Sequence, residues 1–316
     1  MAVVGKPITK WAPMAGLWDV STTDPVYLKP QEKNQPYGRP VAICISDKSF
    51  QAGTAEVTVC FPRHGSDGVH PNTSGAILVG FKSINDEYFA VGMGGYGAAY
   101  VLLRFAPEIR SWIGLAVGGS LENVHPEQPY SLSVHMQGQR LTLNEGGVQV
   151  LAHKLETAPP QGRIGLYAWG ESGVHFKQAS VAEEPGRVFV IMPFSDYYLN
   201  ELFPYVIEPT VKEVGNLIAH HAGGRLGPGI IIKDIEEDIF TSKIVIADIT
   251  ECNTNVYYEV GYAHASKVPT ILLVQKDSKL PFDISGYRCI FYENTISGKQ
   301  KIIDRLQNEI REILGT

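Results

Sequence analysis

Residues 244–274 read IVIADITECNTNVYYEVGYAHASKVPTILLV. The stretch opens on an apolar run, Ile244–Ala247, too short for a helix and bounded by polar residues, which predicts a buried strand. Asn253, Thr254 and Asn255 are helix-start residues. The periodic segment from about Val256 to Lys267 predicts a helix, and Thr270–Val274 predicts a second buried strand. Strand, helix, strand in this spacing defines a parallel crossover unit. Outward from it the alternation continues. Arg187–Pro193 predicts a strand, about Tyr198–Val214 a helix, Leu217–His220 a strand and about Ile231–Ser242 a helix; Cys289–Tyr292 predicts a last strand and Lys301–Leu314 an amphipathic helix. The expected fold of residues 185–316 is a doubly wound α/β sheet, flavodoxin-like in class.

Upstream of Glu183-Glu184-Pro185-Gly186 the texture differs. Short alternating runs at 54–61, 76–81, 100–105, 131–135, 140–143 and 162–168 are separated by Gly- and Asn-rich turns, with no long helical pattern. That predicts an antiparallel β-sandwich over residues 1–184, of jelly-roll type. The literal G-x-G-x-x-G at Gly92-Met-Gly-Gly-Tyr-Gly97 lacks a strand–helix context and reads as a hairpin or bulge.

The composition narrows the function classes. The 316 residues are 44% apolar and 19% charged, with 27 Lys and Arg against 33 Asp and Glu, for a formal charge of −6. The split is 14 basic against 16 acidic residues in 1–184 and 13 against 17 in 185–316, so neither half is a polyanion binder. No nucleic-acid partner and no membrane span are expected. The N-terminal residues lack an export signal, and Cys44, Cys60, Cys252 and Cys289 lie far apart with no CxxC pair. They read as free thiols in a cytoplasmic protein.

Ligands of an open parallel sheet sit at the carboxyl ends of its strands. Asp248 leaves the strand there, and Glu259 falls near the start of the following helix, facing the same crevice. Small Gly261 and Ala263 are expected to let that helix lie close to the sheet. A carboxylate in such a crevice suits chemistry at a sugar C1′, where it stabilises or attacks an oxocarbenium-like centre. The same spacing also fits an acidic residue that merely favours a helix N-terminus. Phe194, Ser195 and Asp196 follow the first strand and are candidates for base stacking and ribose contact, or for capping. Arg225, in the Gly-rich 220–229 loop, is a candidate for phosphate contact or a plain loop residue. Asp234 and Asp238 read as acids on a solvated helix face. His220 and His221 are adjacent and lack a third ligand, so no metal site is expected.

Three blocks carry a family resemblance: Val188-Phe-Val-Ile-Met-Pro-Phe194, Ile246-Ala-Asp-Ile-Thr250 and Asn253-x-Asn-Val-x-Tyr-Glu-x-Gly-x-Ala-His-Ala265, followed by Lys267-x-Pro-Thr-Ile-Leu272. Over about residues 187–293 the chain resembles the N-(deoxy)ribosyltransferase-like superfamily, which includes nucleoside 2-deoxyribosyltransferases and is similar to TIR domains that cleave NAD. The resemblance implies a catalytic Glu259 assisted by Asp248. Substrate contacts are expected from Phe194, Ser195, Asp196, Arg225, Thr250, Asn253, Asn255 and Tyr258, with no metal and no cofactor beyond NAD as substrate. Asn253 stands where many deoxyribosyltransferases have an aspartate. The expected activity is hydrolysis of a nucleotide N-glycosidic bond, NAD first. Deoxyribosyl transfer or deoxynucleotide hydrolysis is one alternative, and a non-catalytic nucleotide-sensing scaffold is another.

Gly162-Arg-Ile-Gly-Leu-Tyr-Ala-Trp-Gly-Glu-Ser-Gly-Val-His-Phe-Lys-Gln-Ala-Ser-Val181 and Tyr130-Ser-Leu-Ser-Val-His-x-x-Gly-x-Arg-Leu-Thr-Leu143 resemble concanavalin-like, laminin-G-like sandwiches. That implies recognition or assembly, with a carbohydrate or small-molecule ligand as one option. Trp11, Trp18, Trp112 and Trp169 are candidates for a sugar platform or for core packing. The fusion resembles bacterial antiviral defence effectors, and a homo-oligomer is expected because sites in the resembled family are often completed by a neighbouring protomer.

Overall fold

Gly53–Cys60 alternates buried and partly exposed residues along its whole length, as a strand with one face on a core must. It sits in an eight-stranded antiparallel sheet of the computed structural model, which describes residues 5–29, 41–63, 73–170, 172–193, 195, 197–223, 231–251, 253–279 and 286–315. The chain divides into two compact units. Residues 1–136, 140–154 and 159–184 form the first, and residues 137–139, 155–158 and 185–316 form the second.

The first unit is a two-sheet antiparallel sandwich. One sheet runs Val148–Lys154, Arg140–Glu145, Pro129–Gln137, Gly53–Cys60, Val174–Glu183, Val26–Lys29, Leu17–Asp19, with Lys6–Pro7 also on Val174–Glu183. The other, seven-stranded, runs Ser111–Ser120, Ala98–Ala106, Tyr88–Met93, Ser74–Phe81, Gly162–Trp169, Val41–Phe50, Trp11–Ala15. A single turn of 3₁₀ helix, Leu121–Asn123, is its one helical element among the described residues. The G-x-G-x-x-G segment forms the hairpin between Tyr88–Met93 and Ala98–Ala106. Gly94, Gly95 and Gly97 all have positive φ there, and a Cβ on Gly94 would lie 2.2 Å from the Thr73 carbonyl oxygen. The glycines serve the turn, not a phosphate.

The tryptophans divide between packing and surface roles. Trp18 is buried against Tyr27 and Phe176. Trp112 meets Tyr88, Phe105 and Tyr167 edge-on. These rings sit at the spacing of aromatic core pairs, so they do not form the open platform considered for a sugar. Trp11 donates to the Thr23 carbonyl. Cys44, Cys60 and Cys289 are free thiols; Cys252 lies outside the described residues.

The second unit is a five-stranded parallel sheet with helices. Its strands are β1 (Gly186–Ile191), β2 (Leu217–His221), β3 (Ile244–Asp248), β4 (Thr270–Gln275) and β5 (Cys289–Tyr292), in the order β2-β1-β3-β4-β5. In register, Val190 stands beside Ile246 on one side and His221 on the other. Helix α1 has two parts. Tyr198–Ile207 has wide turns, with the Glu208 amide donating five residues back to Phe203, and Glu208–Val214 is α-helical. Pro204 inside the first part removes a backbone donor, which favours the wider turn. Helix α2 is Ile231–Thr241, α3 is Thr254–Ala265 and α4 is Ile296–Leu314. Helix α4 starts five residues before the expected Lys301, because the Thr295 hydroxyl accepts from the Gly298 amide and sets the cap there.

Strand alternation sends side chains to two separate cores. Val188, Val190, Ile244, Ile246, Ile271 and Leu273 pack with α1 and α4. Phe189, Ile191, Val245, Ala247, Leu272 and Val274 pack with α2 and α3. Strand β3 is fully buried from Ile244 to Ala247. Each of its larger apolar side chains contributes about 1.5–3 kcal/mol of burial. Both faces of the sheet are covered, as parallel sheets require. The expectation for Gly261 fails. It faces outward, and a Cβ there would meet nothing within 4 Å, whereas Ala263 is the small residue against the sheet.

Candidate active site

The strand order reverses between β1 and β3: the chain runs from β1 outward to β2 and then returns to β3 on the other side. The carboxyl ends of β1 and β3 therefore open a crevice between diverging connections. A cleft of about 470 Å³ lies in this unit, lined by Met192 and Pro193 after β1, Ile232 and Ile235 of α2, and Asn253, Asn255, Val256, Tyr258 and Glu259 around the start of α3. Its volume suits a nucleoside-sized ligand.

Asn253 fixes the wall that carries the acid. Its side-chain oxygen accepts from the Asn255 amide at 2.9 Å and from the Val256 amide at 3.4 Å, which starts α3. A cap of this kind stabilises by about 1 kcal/mol. Val256, Val260 and Ala263 face the sheet, and that rotation brings Glu259 to the cleft. Tyr258 is 55% exposed, and its hydroxyl donates to Glu236 of α2 at 3.4 Å, so it joins the two helices at the rim.

Glu259 is half-buried, and burial alone pushes its carboxyl up to about 7. No cation or hydrogen-bond donor among the described residues offsets that cost. A carboxyl raised towards neutrality by burial in a mostly apolar cleft is suited to acid–base work.

Asp248 has a different fate and corrects the expectation that it joins Glu259. It is fully buried. It follows Ile244 and Ile246 in the alternation and so points to the α1/α4 side of the sheet, away from the cleft lining. One oxygen accepts from the Thr250 amide at 3.0 Å and the other from the Tyr292 hydroxyl at 2.7 Å. Desolvation raises its pKa, opposed by those bonds. Thr250 is not in the lining either; its hydroxyl accepts from the Gln275 amide at 2.9 Å. Both residues clamp the turn that leaves β3.

The remaining expected residues scatter. Ser195 is exposed and outside the cleft lining. Phe194, Asp196 and Arg225 lie outside the described residues. Asp234 is exposed, but Asp238 is only 2% exposed, with an oxygen 3.7 Å from His220 Nε2. The solvated-face expectation holds for the first acid and fails for the second. His264 stacks on Tyr287 at 4.4 Å between centroids. Among the described residues no His, Cys, Asp and Glu cluster could hold a metal ion. None of their helices is long and apolar enough to cross a membrane.

Sequence reasoning missed Ile232 and Ile235. Ile235 falls on the same four-residue period as Ile231 and Ile239 and reads as core; only Ile232 stands off that stripe as a signal of a second apolar surface.

Fold and site together define a doubly wound α/β unit with an acidic cleft at its switch point, in one chain with an antiparallel sandwich. No family model matches the chain, and no curated protein matches it. Among solved structures it is similar to the carbohydrate-binding module CBM66 from Bacillus subtilis, at 13% identity over 56% of this chain and 97% of that one, with a TM-score of 0.43. It is also similar to a β-1,3-1,4-glucanase (lichenase) derived from a mouse hindgut metagenome, at 9% identity over 54% and 92%, with a TM-score of 0.41. A β-glucanase from Bacillus licheniformis is similar at 7% identity over 55% and 92%, with a TM-score of 0.39.

Proposed function

We propose that the second unit cleaves the N-glycosidic bond of a nucleotide, with NAD as the preferred substrate and Glu259 as nucleophile or charge stabiliser. The observation that carries this reading is the Glu259 carboxyl in a nucleoside-sized cleft at the β1/β3 switch point, its pKa raised to about 7 by burial. The resemblance to N-(deoxy)ribosyltransferase-like and TIR-like domains points to the same residue and rests on the sequence motifs alone.

In this mechanism the ribose C1′ lies against Glu259, and Asn253 and Asn255 offer amide groups to sugar hydroxyls. The C1′–N bond breaks with its electron pair going to the base. The ionised carboxylate stabilises the positive charge growing on C1′, or bonds to it. Water then adds to C1′ and loses a proton; where the carboxylate has bonded to C1′, that C1′–O bond breaks with its electron pair returning to Glu259. The apolar side chains of Met192, Ile232, Ile235 and Val256 border the charge being stabilised and reduce its contact with water without closing the cleft. Asp248, Thr250 and Tyr292 hold the turn that carries α3. The first unit serves recognition or assembly of protomers in this reading.

The test is incubation of the full-length chain with NAD and, separately, with deoxynucleosides, followed by chromatography of the released base. Nicotinamide release abolished by Glu259→Gln supports the proposal. Reaction of deoxynucleosides alone gives the site to deoxyribosyl chemistry. Saturable nucleotide binding without turnover makes the unit a sensor.

A further inference from the structure

The described cleft lining holds one ionisable carboxyl, Glu259, and no Lys, Arg or His. Its polar remainder is two amides, Asn253 and Asn255, and the ring of Tyr258, whose hydroxyl is engaged with Glu236. From this inventory we infer that the cleft selects N-glycosides whose base carries a permanent positive charge, pyridinium and N7-alkylpurinium ribosides alike, over neutral nucleosides. The turnover part of the inference rests on the proposed role of Glu259 in bond cleavage; the binding part stands on the cleft alone.

Three features converge. An uncompensated carboxylate attracts a cationic ring by its charge, whereas a neutral ring can meet it only through a hydrogen bond. The half-exposed Tyr258 ring at the rim gives a cationic heterocycle a π-face, a contact that a cation strengthens. The third is proton accounting. A cationic base leaves with the bonding pair and becomes neutral, so no acid is needed. Guanosine would have to leave as an anion or be protonated. A single carboxyl cannot donate that proton and at the same moment stabilise C1′, which is why two-carboxylate sites divide the roles. Among the described residues, α2 carries further charges: Lys233 and Asp234 are exposed, Glu237 is partly exposed, Glu236 takes the Tyr258 hydroxyl and Asp238 lies beside His220; none of them is in the cleft lining, and burial alone raises Glu259.

The test uses the full-length chain and two probes that need no turnover, 1-methylnicotinamide (a cation) and nicotinamide (neutral), followed by calorimetry. With the Glu259 carboxyl titrating near 7, affinity for the cation is expected to rise about tenfold between about pH 6 and pH 8 while that for nicotinamide stays level. Glu259→Gln is expected to remove the preference. In turnover, release of base from guanosine is expected to be at least about 100-fold slower than from 7-methylguanosine, since missing acid catalysis is worth about 10²–10⁴. Equal binding of both probes, a preference that survives Glu259→Gln, or comparable cleavage of guanosine overturns the inference. Cleavage of no nucleoside together with pH-dependent binding of 1-methylnicotinamide retains it and removes the bond-cleavage reading instead.

Discussion

Glu259→Gln should abolish the proposed reaction and should also make the protein more stable, at one end of the pH range only. Burial moves the carboxyl from 4.5 to about 7. Each pH unit between those two values is worth about 1.4 kcal/mol, which sets a ceiling of roughly 3 kcal/mol for the cost of ionising this side chain in place. The cleft is open to water, which reduces the expected figure to about 1–2 kcal/mol. A carboxyl whose folded pKa is raised leaves stability intact below its unfolded value and lowers it as pH climbs through the folded one. The cost is therefore near zero at about pH 4.5 and full at about pH 8. Gln, of nearly the same shape, never ionises. The variant should match the parent at the acid end and gain about 1–2 kcal/mol at about pH 8. The assay is urea unfolding followed by far-ultraviolet circular dichroism. Among the described residues every helix longer than one turn belongs to the second unit, so the helical signal reports that unit. All four tryptophans lie between residues 11 and 169, so their fluorescence serves as the internal control. An equal gain at both ends of the pH range, or a loss at about pH 8, refutes the claim that this carboxyl is held in a costly environment.

Base release should fall as pH drops through about 7, because a protonated Glu259 cannot stabilise or bond to C1′; a rate that stays flat down to about pH 5 contradicts its role. Asn253→Ala removes the acceptor for the Asn255 and Val256 amides. It should cost about 1 kcal/mol, seen as faster hydrogen exchange at those two amides and weaker nucleotide binding. Tyr292→Phe strips the Asp248 carboxyl of its 2.7 Å donor. A loss of about 1–3 kcal/mol in urea unfolding is expected, with KM for the cleaved nucleotide little changed. Gly261→Ala meets open space at an exposed helical position. It should stabilise by about 0.5–1 kcal/mol and leave activity alone.

Much of the second unit was legible because its signals are local. An apolar run such as Ile244–Ala247, a capping Asn253 and an apolar period of 3.6 each act within a few residues and agree with one another. The sandwich strands were legible for the same reason, through alternation and turn residues. What escaped depends on which side of a strand or helix a residue faces. Asp248 and Glu259 both stand near the end of β3 in sequence, yet alternation along the strand sends one to the α1/α4 core and the rotation of α3 sends the other to the cleft. Gly261 and Ala263 are two apart, so on a helix they point to different sides, and only one packs on the sheet. The partner of Asp248 is Tyr292, on the outermost strand, 44 residues away. No short pattern encodes a contact closed by the strand order of the sheet.

The contrast between these two acids bears on which of them suits the proposed reaction. Each is a carboxyl partly or wholly withdrawn from water, and each is raised in pKa by that withdrawal. Asp248 is answered by a backbone amide and a tyrosine hydroxyl, so its lone pairs are committed and its position is fixed. Glu259 is answered by nothing among the described residues. A folded protein retains an unanswered buried carboxyl at a cost of about 1–2 kcal/mol. Substrate binding would remove that cost, because a cation or an oxocarbenium-like sugar supplies the missing charge. The stabilisation absent from the free protein then appears in the complex and grows as C1′ becomes positive. That is differential binding of the transition state, and it is available to Glu259 and closed to Asp248.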